Sequence, residues 1–364
     1  MKTSASSIAV VAGHICLDII PTFKTRLARP QDFYVPGDLL KIGAPVVATG
    51  GAVSNTGLAL HRLGVPTRLM GKVGDDLFGR AITDIVRGYA SELAEGMIVA
   101  KGEPSSYSVV LNPLGLDRMF LHCPGTNDTF GAADVAAKKL VGAKLFHFGY
   151  PPLMRRMYLD DGAELIRLFR RVKRAGLTTS LDMSMPDPRS EAGRVNWAKV
   201  LRGVLPFVDL FLPSRDEIEL MLGKKMSLSA LAEQLRAWGA GTVGLKLGDQ
   251  GFYVRTAQRE LLAPCFAVEV AGATGAGDCT IAGFLAGWLR GLPLEQTLTM
   301  AVAVGACCCE APDATSGIQS WRATQQRIAR GWKRRAVTLP LPGWRWDARQ
   351  QLWIGPSDGG GEAA

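Results

Sequence analysis

The sequence predicts an α/β fold: a mainly parallel central sheet with helices on both faces, and a small β-rich layer beside it. Three observations predict it. Short β-rich runs alternate with helical stretches through most of the chain, the order that right-handed crossovers turn into a parallel sheet. Several of those runs are apolar at nearly every position, as strands covered on both faces must be. Two stretches, Phe23–Pro45 and Ile98–His122, break the alternation with short β-like pieces separated by Pro and Gly.

The elements follow in order. Ile8–Ala12 is the first buried strand, and Ala52–Leu63 the first helix. The strand Thr67–Lys72 leads to the helix Phe78–Gly88. In the second irregular stretch, Tyr107–Leu111 and Arg118–Leu121 are the β-like pieces. Such a layer can act as a lid over a site, or be no more than surface hairpins. The strand Lys144–His147 precedes the helix Asp160–Ala175. Strands Thr178–Asp182 and Leu210–Leu212 lead to helices Asp216–Leu222 and Leu228–Trp238. Strands Thr242–Leu247 and Gly251–Arg255 and a β-like stretch, Phe266–Val270, precede the helices Gly277–Arg290 and Leu294–Cys309.

Composition excludes several classes. Apolar residues at 47% and charged residues at 21% of a 364-residue chain rule out a disordered or collagen-like protein. No uncharged apolar run approaches the roughly eighteen residues of a membrane span. The run Ile8–Gly13 is too short for a secretory leader, so the expected location is the cytoplasm. The seven Cys are irregularly spaced and form no C-x-x-C pair, which suits reduced thiols in a core. His14, His61, His122 and His147 show no metal-ligand spacing. His147 closes a buried strand and is expected to be a hydrogen-bonded core residue.

The formal charge is +9, and the segment Trp321–Ala364 carries eight Lys/Arg against three Asp/Glu. Its cluster Arg330, Lys333, Arg334 and Arg335 is expected to be the solvated face and end of a C-terminal helix rather than a nucleic-acid site. Trp344, Trp346 and Trp353 flank a turn, which suggests a hairpin packed on the body, with the last residues disordered. The expected division is a main domain over 1–320, with lid segments near 23–45 and 98–122, and a basic extension over 321–364.

The most informative segment is Gly272-Ala-Thr-Gly-Ala-Gly-Asp278, which opens the helix beginning near Gly277. Small residues let a ligand approach the backbone, and unpaired N–H groups at a helix start attract anions. Asp278 stands in that first turn. A carboxylate beside an anion hole can accept a hydroxyl proton while phosphate is transferred. The segment has no Walker A ending and does not fit G-x-G-x-x-G. Taken alone, it is equally a Gly-rich helix start with a favourable acidic residue.

These residues resemble the second signature of the ribokinase-like, or PfkB, carbohydrate kinases, Asp-Thr-x-Gly-Ala-Gly-Asp. The first signature is similar to Gly50-Gly-Ala-Val-Ser-Asn-Thr-Gly-Leu-Ala-Leu-His-Arg-Leu-Gly64, continuing into Gly71-Lys-Val-Gly-Asp-Asp-Leu-Phe-Gly79. The resemblance covers roughly Ile8 to Ser320. It implies a Rossmann-like three-layer sandwich with a β lid, and ATP-dependent transfer of phosphate to a sugar-like hydroxyl. It implies Asp278 as catalytic base, with the backbone of Gly275, Ala276 and Gly277 as anion hole. It implies Asp18, Gly50, Gly51 and Asn55 on the acceptor. Ser214 and Glu217 fall where the family has Asn-x-x-Glu, so Glu217 would help order hydrated Mg²⁺; by themselves the two form a capping box. Lys246, Gly248 and Gly251 match the nucleotide-side turn.

Gly272 replaces the family Asp that helps hold a monovalent cation, and glycine has no side-chain ligand to offer one. Asp182 closes another strand, where ligands bind in open α/β sheets, or is a structural turn. The motifs do not choose among sugar, sugar-acid, phosphosugar and nucleoside acceptors. Tyr107 could stack on a nucleoside base; Lys24, Arg26, Arg29 and Arg118 could meet a phosphosugar. A non-catalytic sensor of the same fold is the reading from another class. The lid's open β edges are compatible with a homodimer.

Overall fold

Along β1 (Ile8–Gly13), Ala9 and Val11 enter one hydrophobic cluster while Val10 and Ala12 enter the other. That alternation, with every residue after Ile8 buried, marks a strand covered on both faces. The computed structural model describes residues 8–24, 29, 36–37, 39–113 and 119–359.

Chain order is as follows. β2 (Cys16–Ile20) and β3 (Val46–Gly50) lead into α1 (Ala52–Arg62), then β4 (Thr67–Met70), β5 (Lys72–Gly74) and α2 (Leu77–Tyr89). Next come β6 (Ile98–Ala100), β7 (Tyr107–Leu111), β8 (Met119–Cys123), β9 (Ala143–Gly149), α3 (Arg155–Tyr158) and α4 (Ala163–Arg174). β10 (Thr178–Leu181), α5 (Trp197–Val204), β11 (Leu210–Phe211), α6 (Arg215–Leu222), α7 (Leu228–Ala237) and β12 (Thr242–Lys246) continue the alternation. β13 (Phe252–Arg255), β14 (Glu260–Ala263), α8 (Ala276–Leu289), α9 (Leu294–Cys309), α10 (Trp321–Ala329), β15 (Arg345–Asp347) and β16 (Leu352–Ile354) complete it.

Ten strands form the central sheet in the order β15-β16-β14-β13-β12-β11-β10-β9-β1-β4. From β12 to β4 all neighbours are parallel; from β12 to β15 all are antiparallel. Helices α1, α2, α8 and α9 cover one face, and α4, α5 and α7 the other. Among the described residues, no helix is long and apolar enough to cross a membrane.

The β-rich layer expected as a lid is a four-stranded sheet in the order β3-β2-β7-β8. Its strands lie beside the expected segment 23–45 rather than in it. Pro36–Pro45 carries no strand among its described residues, because β2 and β3 pair directly with each other from Cys16↔Gly50 outward. Arg26 and Arg118, and the chain beyond residue 359, lie outside the described residues.

The β-like stretch Phe266–Val270 forms no strand; an isolated bridge joins Phe266 to Arg334. The physical reason is a stack. The Phe266 ring lies 4.4 Å from that of Trp332, the Arg334 guanidinium sits over it at 4.0 Å, and Arg327 covers Trp332 at 3.6 Å. Burial lowers the pKa of Arg334 to about 10. Arg334 is therefore packed into the body, while Arg330, Lys333 and Arg335 stay exposed, Arg335 bonding to Asp249 at 3.1 Å. The Trp-flanked hairpin forms as expected, with Trp346 and Trp353 rings 5.3 Å apart. It also pairs with β14 and so extends the central sheet.

Candidate active site

The turn from Thr274 into α8 needs glycine at position 275. Its φ is +75°, and a Cβ there would overlap Ala314. The turn puts Asp278 in the first helical turn, 3% exposed. Three side chains donate to its carboxylate: Asn55 Nδ2 to Oδ2 at 3.0 Å, the Tyr150 hydroxyl to Oδ2 at 2.6 Å, and the Thr56 hydroxyl to Oδ1 at 3.1 Å. Asn55 and Thr56 are consecutive on α1, which begins directly after Gly51. Tyr150 follows β9 at the carboxyl end of the parallel sheet, where ligands bind in such folds. A carboxylate has about four acceptor positions, so Oδ1 keeps one free.

The first-turn N–H groups of α8 have no carbonyl one turn behind them, and the helix start carries partial positive charge. Ala276 N–H reaches Ala273 O at 3.3 Å, and Cys279 is the first to bond back to Gly275, at 2.9 Å. Gly277 keeps the surface bare: a Cβ there would come 3.3 Å from Lys246 Cδ and 3.6 Å from its Nζ. The ammonium of Lys246 thus lies beside the helix start.

Lys246 ends β12 and pairs with Asp182 Oδ1 at 2.6 Å. Burial opposes its charge, but the carboxylates of Asp182, Glu217 and Asp278 outweigh that and hold its pKa above the usual lysine range. Burial pushes Asp182 up, against the pull of Lys246. Asp182 Oδ2 is buried with no hydrogen-bond partner. An unpartnered buried carboxylate oxygen in an acidic cluster suits a water or a hydrated cation. Ser214 and Glu217 form the capping box, with Ser214 N–H donating to the Glu217 carboxylate at 2.8 Å. Among the described residues, no three His, Cys, Asp or Glu side chains converge as a metal cage. A Mg²⁺ here would keep most of its waters and lean on one or two carboxylates, the usual habit of that ion.

A cavity of about 440 Å³ opens in front of the helix start, bordered by Ser214, Lys246, Gly248, Gly251, Gly277 and Arg335. Four of these, Ser214, Lys246, Gly248 and Gly251, are positions expected on the nucleotide side, and Gly277 is one expected in the anion hole. Arg335 comes from the C-terminal segment and was expected only as part of a solvated face. Glu217 is not on the cavity wall; it sits behind Ser214. A smaller cavity of about 90 Å³ lies between Asp18, Thr49 and Asn112 on the lid side and Gly272, Thr274 and Asp313 on the loop side. A Cβ at Gly272 would come 2.9 Å from the carbonyls of Ala311 and Pro312, so the backbone packing favours glycine there.

Asp18 reaches this region from β2, against Gly50, whose missing side chain leaves room for the Asp18 carboxylate. Burial raises the Asp18 pKa to about 6, opposed by hydrogen bonds from Cys16 and Ser108. Between roughly pH 4 and 6 the folded chain therefore holds a proton that the unfolded chain has released. Its contribution is full below about pH 4 and lost as pH rises through about 6. Asp18→Asn keeps the shape without the charge. It should flatten that window and raise stability at about pH 8 by about 2 kcal/mol in urea unfolding. A variant no more stable than its parent at that pH would sink the assignment.

Sequence reasoning passed over Thr56, Tyr150, and the contact between His14 and His122, whose Nε2 atoms lie 3.3 Å apart. Tyr150 was signalled only by its place at a strand end before Pro151-Pro152. His147 is the expected core residue, with Nδ1 2.9 Å from Ser180 Oγ and a pKa pushed down to about 3 by burial and by Lys246. Tyr107 packs its ring against Phe78, 5.2 Å away, rather than standing free over the site.

Three comparisons bear on identity. An uncharacterized sugar kinase of Archaeoglobus fulgidus is 29% identical over 262 residues, covering 72% of this chain and 98% of the relative. The 2-dehydro-3-deoxygluconokinase of Bacillus subtilis is 27% identical over 306 residues, covering 80% and 89%. The solved structure of Arabidopsis thaliana ribokinase complexed with ribose and ATP superposes with a TM-score of 0.72 at 19% identity, over 88% of this chain and 98% of that one. Together with this ribokinase fold, the match of residues 10–321 to the pfkB family carbohydrate kinases shows that the chain belongs to that family.

Proposed function

We propose that this carbohydrate kinase transfers the terminal phosphoryl group of ATP to a hydroxyl of a sugar or sugar-derived acceptor, with Asp278 as the base. The observation that carries the reading is the carboxylate of Asp278, fixed by three donors in the first turn of a helix where Cys279 is the first N–H to bond back to Gly275. In this reading the acceptor lies between Asp18, Gly50, Gly51, Asn55 and Asp278. ATP fills the larger cavity against Ser214, Lys246, Gly248 and Gly251. Mg²⁺, when bound to the nucleotide, neutralises phosphate charge, with Asp182 and Glu217 ordering its waters.

Asp278 takes the hydroxyl proton as the acceptor oxygen approaches phosphorus. The backbone of Gly275–Gly277 and the Lys246 ammonium face the charge that develops on the transferring group. Such preorganised donors matter most in the transition state. Closure of the lid sheet excludes water. That the relatives include sugar and 2-dehydro-3-deoxygluconate kinases supports a sugar-like acceptor.

The test is ADP release from MgATP over a panel of sugars, sugar acids, phosphosugars and nucleosides. Phosphorylated product from one class, with release saturating in that acceptor, is the expected result. Silence across the panel, with acceptors still shifting the melting temperature, would favour a binding protein instead.

A further inference from the structure

Of the three side chains on Asp278, two are part of the scaffold. Asn55 is 5% exposed and Thr56 fully buried, both on α1. The third differs. Tyr150 is only partly buried, the most exposed of the three donors. Its backbone is left-handed, with φ +67° and ψ 42°, and a proline follows. A bulky residue pays a steric cost in that conformation, and outliers of this kind concentrate at functional sites. The conformation aims the phenol at Asp278 Oδ2, 2.6 Å away, the short contact of a hydroxyl on a charged carboxylate. The ring stands 6.0 Å from that of His14, itself 5.1 Å from His122 on the lid strand β8. A row of rings thus runs from the base to the lid.

A kinase that uses a carboxylate base has a competitor for every acceptor. Water binds a carboxylate as readily as a sugar hydroxyl and is smaller than any sugar. A water on Asp278 beside ATP would give its proton to the carboxylate and its oxygen to phosphorus. The bond to ADP would break, and inorganic phosphate would leave. A place on Oδ2 already filled by a hydroxyl that cannot reach phosphorus is closed to that reaction, and the place left on Oδ1 lies beside the fully buried Thr56.

We propose that Tyr150 guards the base: its hydroxyl holds on Asp278 Oδ2 the place that the acceptor hydroxyl takes in the productive complex. The guard rests on the kinase reading above. An acceptor, held by its other hydroxyls, displaces the phenol; a lone water, with no such anchorage, does not. Burial and the nearby Asp278 carboxylate hold the phenol well above its usual pKa, so it gives a hydrogen bond to the base without taking the acceptor's proton. Tyr150 is a positioning residue in this scheme, since it touches the base and neither substrate.

The experiment compares wild type, Tyr150→Phe and Thr56→Val. ADP release and inorganic phosphate are measured without acceptor, and phosphorylated product with it. Phe keeps the ring beside His14 and removes only the hydroxyl; Tyr150→Leu serves if the Phe variant does not fold. The expected result is that Tyr150→Phe raises acceptor-independent hydrolysis relative to transfer by about tenfold. Thr56→Val, which frees Oδ1 from a buried donor, should lower transfer without that rise. An unchanged ratio in Tyr150→Phe, whether or not transfer falls, overturns the guard and leaves Tyr150 a structural support. A wild type that phosphorylates no acceptor overturns the kinase reading, and the guard with it.

Discussion

Asp278→Asn should lower kcat by about 10²–10⁴-fold while KM for both substrates changes only a few-fold, the range seen when a general base is removed. The amide has nearly the same shape, and its oxygen can still accept from Asn55 and Tyr150 on the Oδ2 side. The amide NH₂ then faces Thr56, whose hydroxyl can turn to accept. The scaffold therefore survives, and what is lost is the proton acceptor. Steady-state kinetics with a saturating acceptor is the measurement. A variant within tenfold of wild-type kcat would mean that another group, or water, takes the proton.

Lys246→Met should cost about 3–5 kcal/mol of stability and abolish transfer, because it leaves the Asp182 charge buried without its partner. Met replaces the length of the side chain but not the ammonium. Asp182 lies fully buried, with one oxygen already unpartnered. It has a way to soften the loss: burial already pushes its pKa up, so without Lys246 it takes a proton. The destabilisation should therefore be smaller at acid pH and grow as pH rises. Adding Asp182→Asn to the variant should recover most of the stability and none of the transfer. Urea midpoints of the two singles and the double complete the cycle. If Lys246→Met unfolds within about 1 kcal/mol of wild type at neutral pH, the pair is not the anchor described.

The fold was legible where the physics is local. Strands apolar at every position, such as Ile8–Gly13, and the amphipathic helix around Leu165, Leu168, Phe169 and Val172 carry their burial in their own spacing. The Gly-rich entrance to α8 was equally plain, because few other sequences need that backbone. What escaped is what tertiary contact decides. Phe266–Val270 has the composition of a strand, but a Trp and an Arg more than sixty residues away hold Phe266 in a ring stack. β14 has the pattern Glu-Leu-Leu-Ala, and its Glu260 is buried with donors from other segments, the Tyr253 and Ser229 hydroxyls and the Ser357 N–H.

The site divides in the same way. Asp278, Asn55, Lys246 and the glycines sit in motifs whose spacing is itself a signal. Tyr150 and Thr56 have roles set by where distant segments meet, and Asp182 could be read from sequence only as a strand-end residue. Arg334 is the sharpest case: a cluster of positive charge reads as solvent-facing, and Arg335 is exposed as expected although it borders the large cavity, yet Arg334 packs over the Phe266 ring.

The hairpin β15–β16 has a consequence for biosynthesis. These strands are made after every other strand described, and β16 is the neighbour that covers β14. While translation is still short of residue 352, the central sheet can assemble, but β14 presents a free edge. All four of its residues are buried in the finished protein. An unpaired edge of that kind is a template for pairing with another nascent chain. Chains cut short of residue 345 should thus keep the kinase motifs intact yet sediment with aggregates or engage chaperones. The hairpin over residues 345–354 acts as the closing stitch on that edge.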